Sequence, residues 1–397
     1  MVNKSKHLEE LLISSKLIYN QSLYFLRQAY FNCKKSERKI TTPNYSQLYE
    51  LVKEMDVFKE SPLDFVVKQD CIKQAVENWS SFIKAAISYQ RQPDRFKARP
   101  KIPKYLKNDH NVITIDKSRL RSTGCKEGEI RLPKSEFKFK IPKYIRKDAI
   151  KCLRVLNFYN KIKIEIVYEK ETKKIDYSNG NTIGIDIGLN NLAAITSNEQ
   201  SLSWLINGRP LKSINQYYNK KLARLSSIGA RSQIEKLTRK RKLKVDNYLH
   251  WVSRQIINLC KENKISKIVI GKNDGWKQDI KIGKRNNQNF VQIPFGRFIR
   301  MIEYKAEDVL IDVILTEESY TSKCDHLAGE EMKHQEKYLG RRTKRGQFRS
   351  SVGKILNADI NGAIGILRKK QEISDAQILG LRNRGDVVSP MKLHKVS

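Results

Sequence analysis

The sequence predicts a multidomain α/β protein, and three patterns carry that prediction. The second half alternates strand-like apolar runs with amphipathic helical stretches, from a hairpin at 182–196 to a last helix opening at Asn357. The first hundred or so residues carry apolar side chains at helical spacing. Between these halves lie short alternating runs bounded by turn residues, the signature of a small barrel or curled sheet.

Composition narrows the class. A chain of 397 residues has room for two or three domains and a sizeable core. Lys plus Arg number 78 against 42 Asp plus Glu, a formal charge of +36. Such an excess repels itself unless a polyanion neutralises it, and nucleic acid is the usual one. No run approaches the roughly 18 apolar residues of a membrane span, and the start Met1-Val2-Asn3-Lys4-Ser5-Lys6 lacks a signal peptide's apolar centre. A soluble cytoplasmic protein without a membrane partner is expected. The six cysteines are scattered and form no Cys-x-x-Cys pair, which fits reduced thiols rather than a disulfide frame.

In chain order, Leu8, Leu11, Leu12, Leu17, Ile18, Leu23, Leu26 and Tyr30 place an amphipathic helix over His7 to about Tyr30. A second follows over Tyr45 to Met55, and a third opens after Ser61-Pro62 with Phe65, Ile72, Val76, Trp79 and Phe82 on its apolar face. The run from Gln92 to Tyr105 changes character, because its three prolines remove amide donors and stop helices. Here Arg95, Lys97, Arg99, Lys101 and Lys104 alternate with aromatics, a pattern suited to phosphate contact and base stacking. Strands are expected at 112–116, 129–132, 137–141, 150–156 and 161–168, and a polar linker at 170–180 marks a domain boundary.

Thr182-Ile183-Gly184-Ile185-Asp186-Ile187 then sets one carboxylate in an apolar hairpin, with turn chemistry in Gly188-Leu189-Asn190-Asn191. An ionised carboxylate in such a place needs a pairing charge or a metal. Helices are predicted over Ser213–Leu225 and Ser232–Cys260. In the second, Val245, Leu249, Val252, Ile256 and Cys260 share a face, while Arg239, Lys240, Arg241 and Lys242 form a basic run. Such a run is most often a solvated face, but it could equally grip a nucleic-acid backbone. A strand at 265–271, a helix from Phe295 to about Val309 and a strand at 311–318 ending in Glu317-Glu318 complete an order compatible with an RNase H-like core. Asp359 opens the final helix, with Ala363, Ile366 and Leu367 on or near its face, so it points towards the sheet.

Four words then occur in order: Gly184-Ile185-Asp186-Ile187-Gly188-Leu189-Asn190-Asn191, the stretch from Ile268 through Gly271, Trp276 and Lys277 to Gln278, Glu318-Ser319-Tyr320-Thr321-Ser322-Lys323-Cys324, and Asn357-Ala358-Asp359-Ile360-Asn361-Gly362-Ala363. In this the chain resembles the TnpB family of insertion-sequence proteins, related to type V CRISPR effectors. The resemblance implies an RNA-guided DNA endonuclease with a split RuvC-type, RNase H-like nuclease core. It implies a helical recognition lobe with the basic arm at 1–107 and wedge β-barrel strands with linker at 108–180. The nuclease core would span 181–319, a target nucleic-acid-binding insertion 320–356, and the last nuclease helix and tail 357–397. It implies Asp186 and Asp359 as first and last catalytic carboxylates holding two Mg²⁺ ions, which would bind the attacking and leaving oxygens. Trp276 and Lys277 join the candidates for nucleic-acid contact.

Three departures from the family pattern shape the expectations. Gly271 stands where many relatives place the middle glutamate, so Glu318 is expected to supply it, as in a subgroup with a relocated residue. Glu317 is the alternative, since strand alternation sends only one of the two to the site. Where relatives carry two Cys-x-x-Cys pairs, only Cys324 remains, with His326 and His334 nearby, and no zinc is expected. Arg341, Arg342, Lys344 and Arg345 would hold nucleic acid there instead. Third, the chain is expected to begin directly with a helix, without the strand that usually opens the wedge barrel. The expected partners are a guide RNA from the element's own locus and double- and single-stranded target DNA, with the chain as monomer or dimer. A guided DNA-binding repressor without nuclease activity is the alternative function.

Overall fold

The computed structural model describes residues 1–3, 5–35, 42–107, 111–120, 125–159, 161–171, 181–199, 201–272, 284–344 and 346–395. The chain divides into two compact units, Met1–Lys170 and Glu171–Ser397. The boundary falls at the start of the run that the sequence reads as a polar linker.

The first unit runs β1 (Val2–Asn3), α1 (Lys6–Lys35), α2 (Tyr45–Lys53), α3 (Asp56–Lys59), α4 (Phe65–Arg91), β2 (Val112–Asp116), β3 (Glu129–Arg131), β4 (Lys138–Lys140), β5 (Ile150–Phe158) and β6 (Lys161–Tyr168). Asn44 opens α2 with a capping box to Gln47, and Asp64 opens α4 by accepting from the Val66 N–H. The strands form an antiparallel sheet in the order β1-β6-β5-β2, with β3-β4 as a separate hairpin. This sheet is open, so the described strands close no barrel. The expected absence of a leading strand is corrected by β1, which pairs Val2 with Ile162. Two residues are too few to show an alternating pattern, and only pairing reveals them.

Residues of β2 alternate exposed and buried, giving the sheet one apolar face. Helices α1 and α4 cover it: Leu8, Leu12, Ile72 and Trp79 share one core with Ile113, Ile115, Leu153 and Ile162. The helical stretch and the strands that follow it therefore fold around a common core.

The second unit runs β7 (Thr182–Asp186), β8 (Asn191–Ser197), β9 (Ser203–Asn207), α5 (Arg209–Ser227), α6 (Arg231–Glu262), β10 (Lys267–Gly271), α7 (Lys284–Gln292), α8 (Phe295–Glu307), β11 (Asp312–Thr316), β12 (Arg341–Lys344), β13 (Gln347–Arg349), β14 (Ile355–Asn357), α9 (Ala358–Lys369), α10 (Asp375–Asn383) and β15 (Met391–Leu393). Its sheet has the order β11-β10-β7-β8-β9-β15. The strands β7, β10 and β11 are parallel, with Ile270 opposite Ile185 and Gly271 opposite Thr316. Their carboxyl ends therefore lie side by side, the usual place for a site in an open α/β sheet.

Strand alternation splits the sheet between two cores. Ile183, Ile185, Ile268 and Ile270 pack with α6 and α8 on one face. Val269 and Ala194 pack with Ile360, Ile364 and Leu367 of α9 on the other. A Cβ at Gly184 would fall against the backbone carbonyl of Ala363, so this glycine lets α9 settle directly on β7. The small antiparallel sheet β12-β13-β14 leads into α9, and its Phe348 and Leu356 join the α9 core.

Candidate functional site

Asp186 ends β7 on the face covered by α9. Its carboxyl lies over Gly362, where a Cβ would stand 2.6 Å from Oδ2. Asp359, in the first turn of α9, sits beside the β7–β8 hairpin and accepts at Oδ2 from Asn191 Nδ2 at 2.6 Å. Asn357 caps this helix through the N–H groups of Asp359 and Ile360, so the acid stands at an N-terminus whose dipole favours negative charge. Burial above all, and then the neighbouring Asp359 charge, push Asp186 up to about 7, with Arg342 pulling the other way.

Glu318 follows β11. Its side chain covers Gly271, where a Cβ would stand 2.7 Å from both Glu318 Cγ and Ile366 Cδ1. Asp359, Gly362 and Ile366 are spaced i, i+3 and i+7, so α9 passes over β8, β7 and β10 with Asp359 near the hairpin and Ile366 near β10. Glu318 thus reaches the place that a side chain at the end of β10 would take, one strand from Asp186. Glu317 points elsewhere: it is exposed, accepts from Lys369 Nζ at 2.6 Å and from Ser319 N at 2.9 Å, and this pairing lowers its pKa. Both glutamates follow the end of β11 at Thr316, and their side chains take different surroundings. Among the described residues, no three His, Cys, Asp or Glu side chains converge into a group that could hold an ion.

A cleft of about 690 Å³ opens beside Asp359, lined by Asn190, Asn191, Asn207, Arg209, Arg342, Lys392 and His394 among others. Arg209, Lys392 and His394 escape sequence reasoning. Lys392 and His394 arrive because β15 pairs in parallel with β9, Met391 opposite Trp204, and no local pattern announces a pairing across so long a separation. Arg209 follows Gly208, which lies so close to the Leu189 carbonyl that a side chain would not fit; the Gly-Arg-Pro start of α5 was its only local mark.

The remaining basic candidates divide by environment. Arg95, Lys97, Arg99, Lys101 and Lys104 are exposed on an arm held to α1, where Arg27 donates to the Pro103 carbonyl at 2.9 Å and Asn20 bonds Leu106 in both directions. Arg341, Arg342 and Lys344 are exposed on β12, and Lys240 on α6. Arg239 and Lys242 are partly buried on the same helix. Arg241 is occupied structurally: it donates to Asn215 Oδ1 and the Gln292 carbonyl, each at 2.9 Å, and lies over the Tyr218 ring. Trp276, Lys277 and Arg345 lie outside the described residues. Cys324 is buried and directs Sγ to the Glu331 carbonyl, while His334 is exposed, so the residues named for zinc do not converge.

Asp186 and Asp359 lie close enough for their charges to oppose each other, and burial holds the Asp186 proton up to about 7. The fold and site define a mixed α/β protein with an acidic centre at the carboxyl ends of parallel strands and a basic wall beside it. Residues 165–277 match the family model of IS605 OrfB probable transposases, and residues 295–366 match that of the Cas12f1-like TNB domain. No curated protein matches the chain. Among solved structures, a Cas12f1 chain from a complex with sgRNA and target DNA matches at 15% identity and a TM-score of 0.54, covering 91% of this chain and 83% of that one. A CRISPR-Cas12f ternary complex matches at 15% identity over 91% and 80%, with a TM-score of 0.34 that carries no argument. The chain is thus similar to IS605 OrfB transposases over 165–277 and to the Cas12f1-like TNB domain over 295–366, and it shares the fold of Cas12f1.

Proposed function

We propose that the protein is a transposon-encoded, RNA-guided DNA endonuclease that cuts at a guide-matched site beside a short flanking motif. The single observation that carries this reading is the pairing of Asp186 with Asp359 at the strand ends, with Glu318 in the place left by Gly271. Asp186, Glu318 and Asp359 would hold Mg²⁺. When bound, two such ions supply the activation of water and the stabilisation of the leaving oxygen in phosphodiester hydrolysis.

The chain's own residues account for the rest. Asn191 orients Asp359 by donating to Oδ2. Arg209, Arg342 and Lys392 offer cationic groups along the cleft to a strand's phosphates. The exposed arm from Arg95 to Lys104 offers a second row of cations to RNA or to a heteroduplex. Base pairing with the guide would carry sequence specificity, so these contacts read backbone and shape. The likeness to a Cas12f1 chain solved with sgRNA and target DNA supports the same partners.

The test is to purify the protein from its native locus, sequence the RNA that accompanies it, and assay Mg²⁺-dependent cutting of matching DNA. Cutting that requires both the RNA match and Mg²⁺ supports the reading. Guided binding without cutting at any Mg²⁺ concentration leaves the repressor, and absence of a co-purifying RNA overturns both.

A further inference from the structure

The loop after β11 is tied to α9 by a buried ring. His326 is fully buried, and both its nitrogens are engaged. Nε2 lies 2.7 Å from the Thr321 carbonyl and Nδ1 2.9 Å from Arg368 Nη1. A carbonyl only accepts and a guanidinium only donates, so Nε2 carries the proton and Nδ1 is bare. One neutral tautomer satisfies both neighbours.

Each neighbour leads to one side of the acidic centre. Thr321 donates to the Glu318 carbonyl from its N–H at 3.2 Å and its hydroxyl at 2.8 Å, closing the turn that carries Glu318. Arg368 belongs to α9, the helix that carries Asp359 in its first turn, and also donates to the carbonyls of Glu330 and Gly329 at 2.8 and 2.9 Å. The same loop meets α9 at two further points. Asn361 donates to the Cys324 carbonyl at 2.9 Å. The His326 ring lies flush on Gly365, where a Cβ would stand 2.8 Å from Cε1. Any larger residue at 365 would push the ring off the helix.

We propose that His326 is a positioning residue for the acidic centre, fixing the Glu318 turn to the Asp359 helix so that acids from two separate segments face one cation together. The inference rests on the nuclease reading, because a cation shared by the two acids is what makes their alignment matter. Burial foremost, with the Arg368 charge beside it, pushes the ring down to about 4, against the Thr321 carbonyl and the Asp325 carboxylate that favour a proton. The ring therefore stays neutral through the working range of a cytoplasmic enzyme. Residues that hold metal-binding side chains in place govern how tightly a metal site binds as well as how fast it works.

Two variants test it in the full chain bound to its guide. His326→Phe keeps a flat ring over Gly365 and loses both hydrogen bonds; His326→Gln restores a donor towards Thr321. The readouts are Mn²⁺ affinity by calorimetry, the Mg²⁺ concentration for half-maximal cutting, guide-RNA affinity and melting temperature. His326→Phe should weaken Mn²⁺ binding and raise the Mg²⁺ requirement by about tenfold, with guide affinity unchanged, and His326→Gln should recover most of the difference. Wild-type metal dependence in His326→Phe overturns the proposal. So does a parallel fall in guide affinity and melting temperature with unaltered Mn²⁺ affinity, which is the mark of a structural role alone. If the wild type binds Mn²⁺ but does not cut, the nuclease reading fails while calorimetry still decides the role of His326. Wild-type protein that binds no Mn²⁺ overturns both.

Discussion

Glu318 stands where a side chain at Gly271 would stand: a Cβ built on that glycine would lie 2.7 Å from Glu318 Cγ. The two positions are opposed, since a side chain at 271 and the present place of Glu318 exclude each other. Glu318→Gln should therefore lower cutting by about a hundredfold or more, on the scale expected when a metal-binding carboxylate is lost. Glu317→Gln, which removes only an exposed pairing with Lys369, should leave cutting close to wild type. Gly271→Glu on a Glu318→Ala background should recover cutting relative to Glu318→Ala alone. Equal cutting by the two single glutamine variants would sink the assignment.

Asp186→Ala and Asp359→Ala should each abolish DNA cutting while guide-RNA binding, measured by filter retention, stays at wild-type level. Asn191→Ala should fall between them and the wild type, with cutting reduced by about tenfold, because Asp359 loses the donor that orients it. Wild-type cutting by either alanine variant of the acids would remove them from the centre.

The pH dependence of stability follows from Asp186, whose pKa stands at about 7 against an ordinary 3.8. Between those values the folded chain keeps a proton that the unfolded chain has released, so stability falls as pH rises through that window and stays low above it. Thermal melting without divalent ions should thus show a lower melting temperature at pH 8 than at pH 6. Asp186→Asn should flatten that difference, and added Mg²⁺ should raise the melting temperature of the wild type at pH 8 more than that of the variant. A wild-type melting temperature that climbs from pH 6 to pH 8 without metal would contradict the burial assigned to this carboxyl.

Gly184→Ala should destabilise the second unit, because the added methyl meets the backbone carbonyl of Ala363 and stands 2.8 Å from Leu367 Cγ. Backbone cannot step aside as a side-chain tip can, so a cost of about 1–3 kcal/mol in urea unfolding is expected. Gly229→Ala, at a positive φ of 66° but with open space around it, should cost less in packing and only the backbone penalty.

Metal analysis of the purified protein should find zinc below one equivalent per chain, and chelator should leave its melting temperature unchanged. Asp325, wholly buried, accepts from Ser350 Oγ and Ser351 Oγ at 2.9 Å, and Glu330 accepts from Leu339 N at 2.8 Å, so side-chain hydrogen bonds hold the turns of this insertion. A stoichiometric zinc signal would overturn this account.

The element order of the second unit and the two aspartates were legible in the sequence because each rests on short-range signals: β-branched runs, a turn of glycine and asparagines, and an asparagine cap before a helical face. Less was legible where the chain closes on itself. The edge strand β15, the small sheet β12-β13-β14 and the leading strand β1 have three to four residues at most, too few for periodicity to rise above chance, and their existence depends on distant partners. The basic run in α6 looked uniform, yet packing commits Arg241 to Asn215 and Gln292 while Lys240 stays exposed.

By itself the sequence determined the charge, the order of the four words and the presence of two adjacent glutamates after a strand. Only the tertiary structure separated the surroundings of those glutamates, setting Glu318 over Gly271 and Glu317 beside Lys369. It also decided that His326 is buried between the Glu318 turn and the Asp359 helix. Local patterns specify which way a strand or helix faces; which distant segment fills the space it faces is set by the packing of the whole unit.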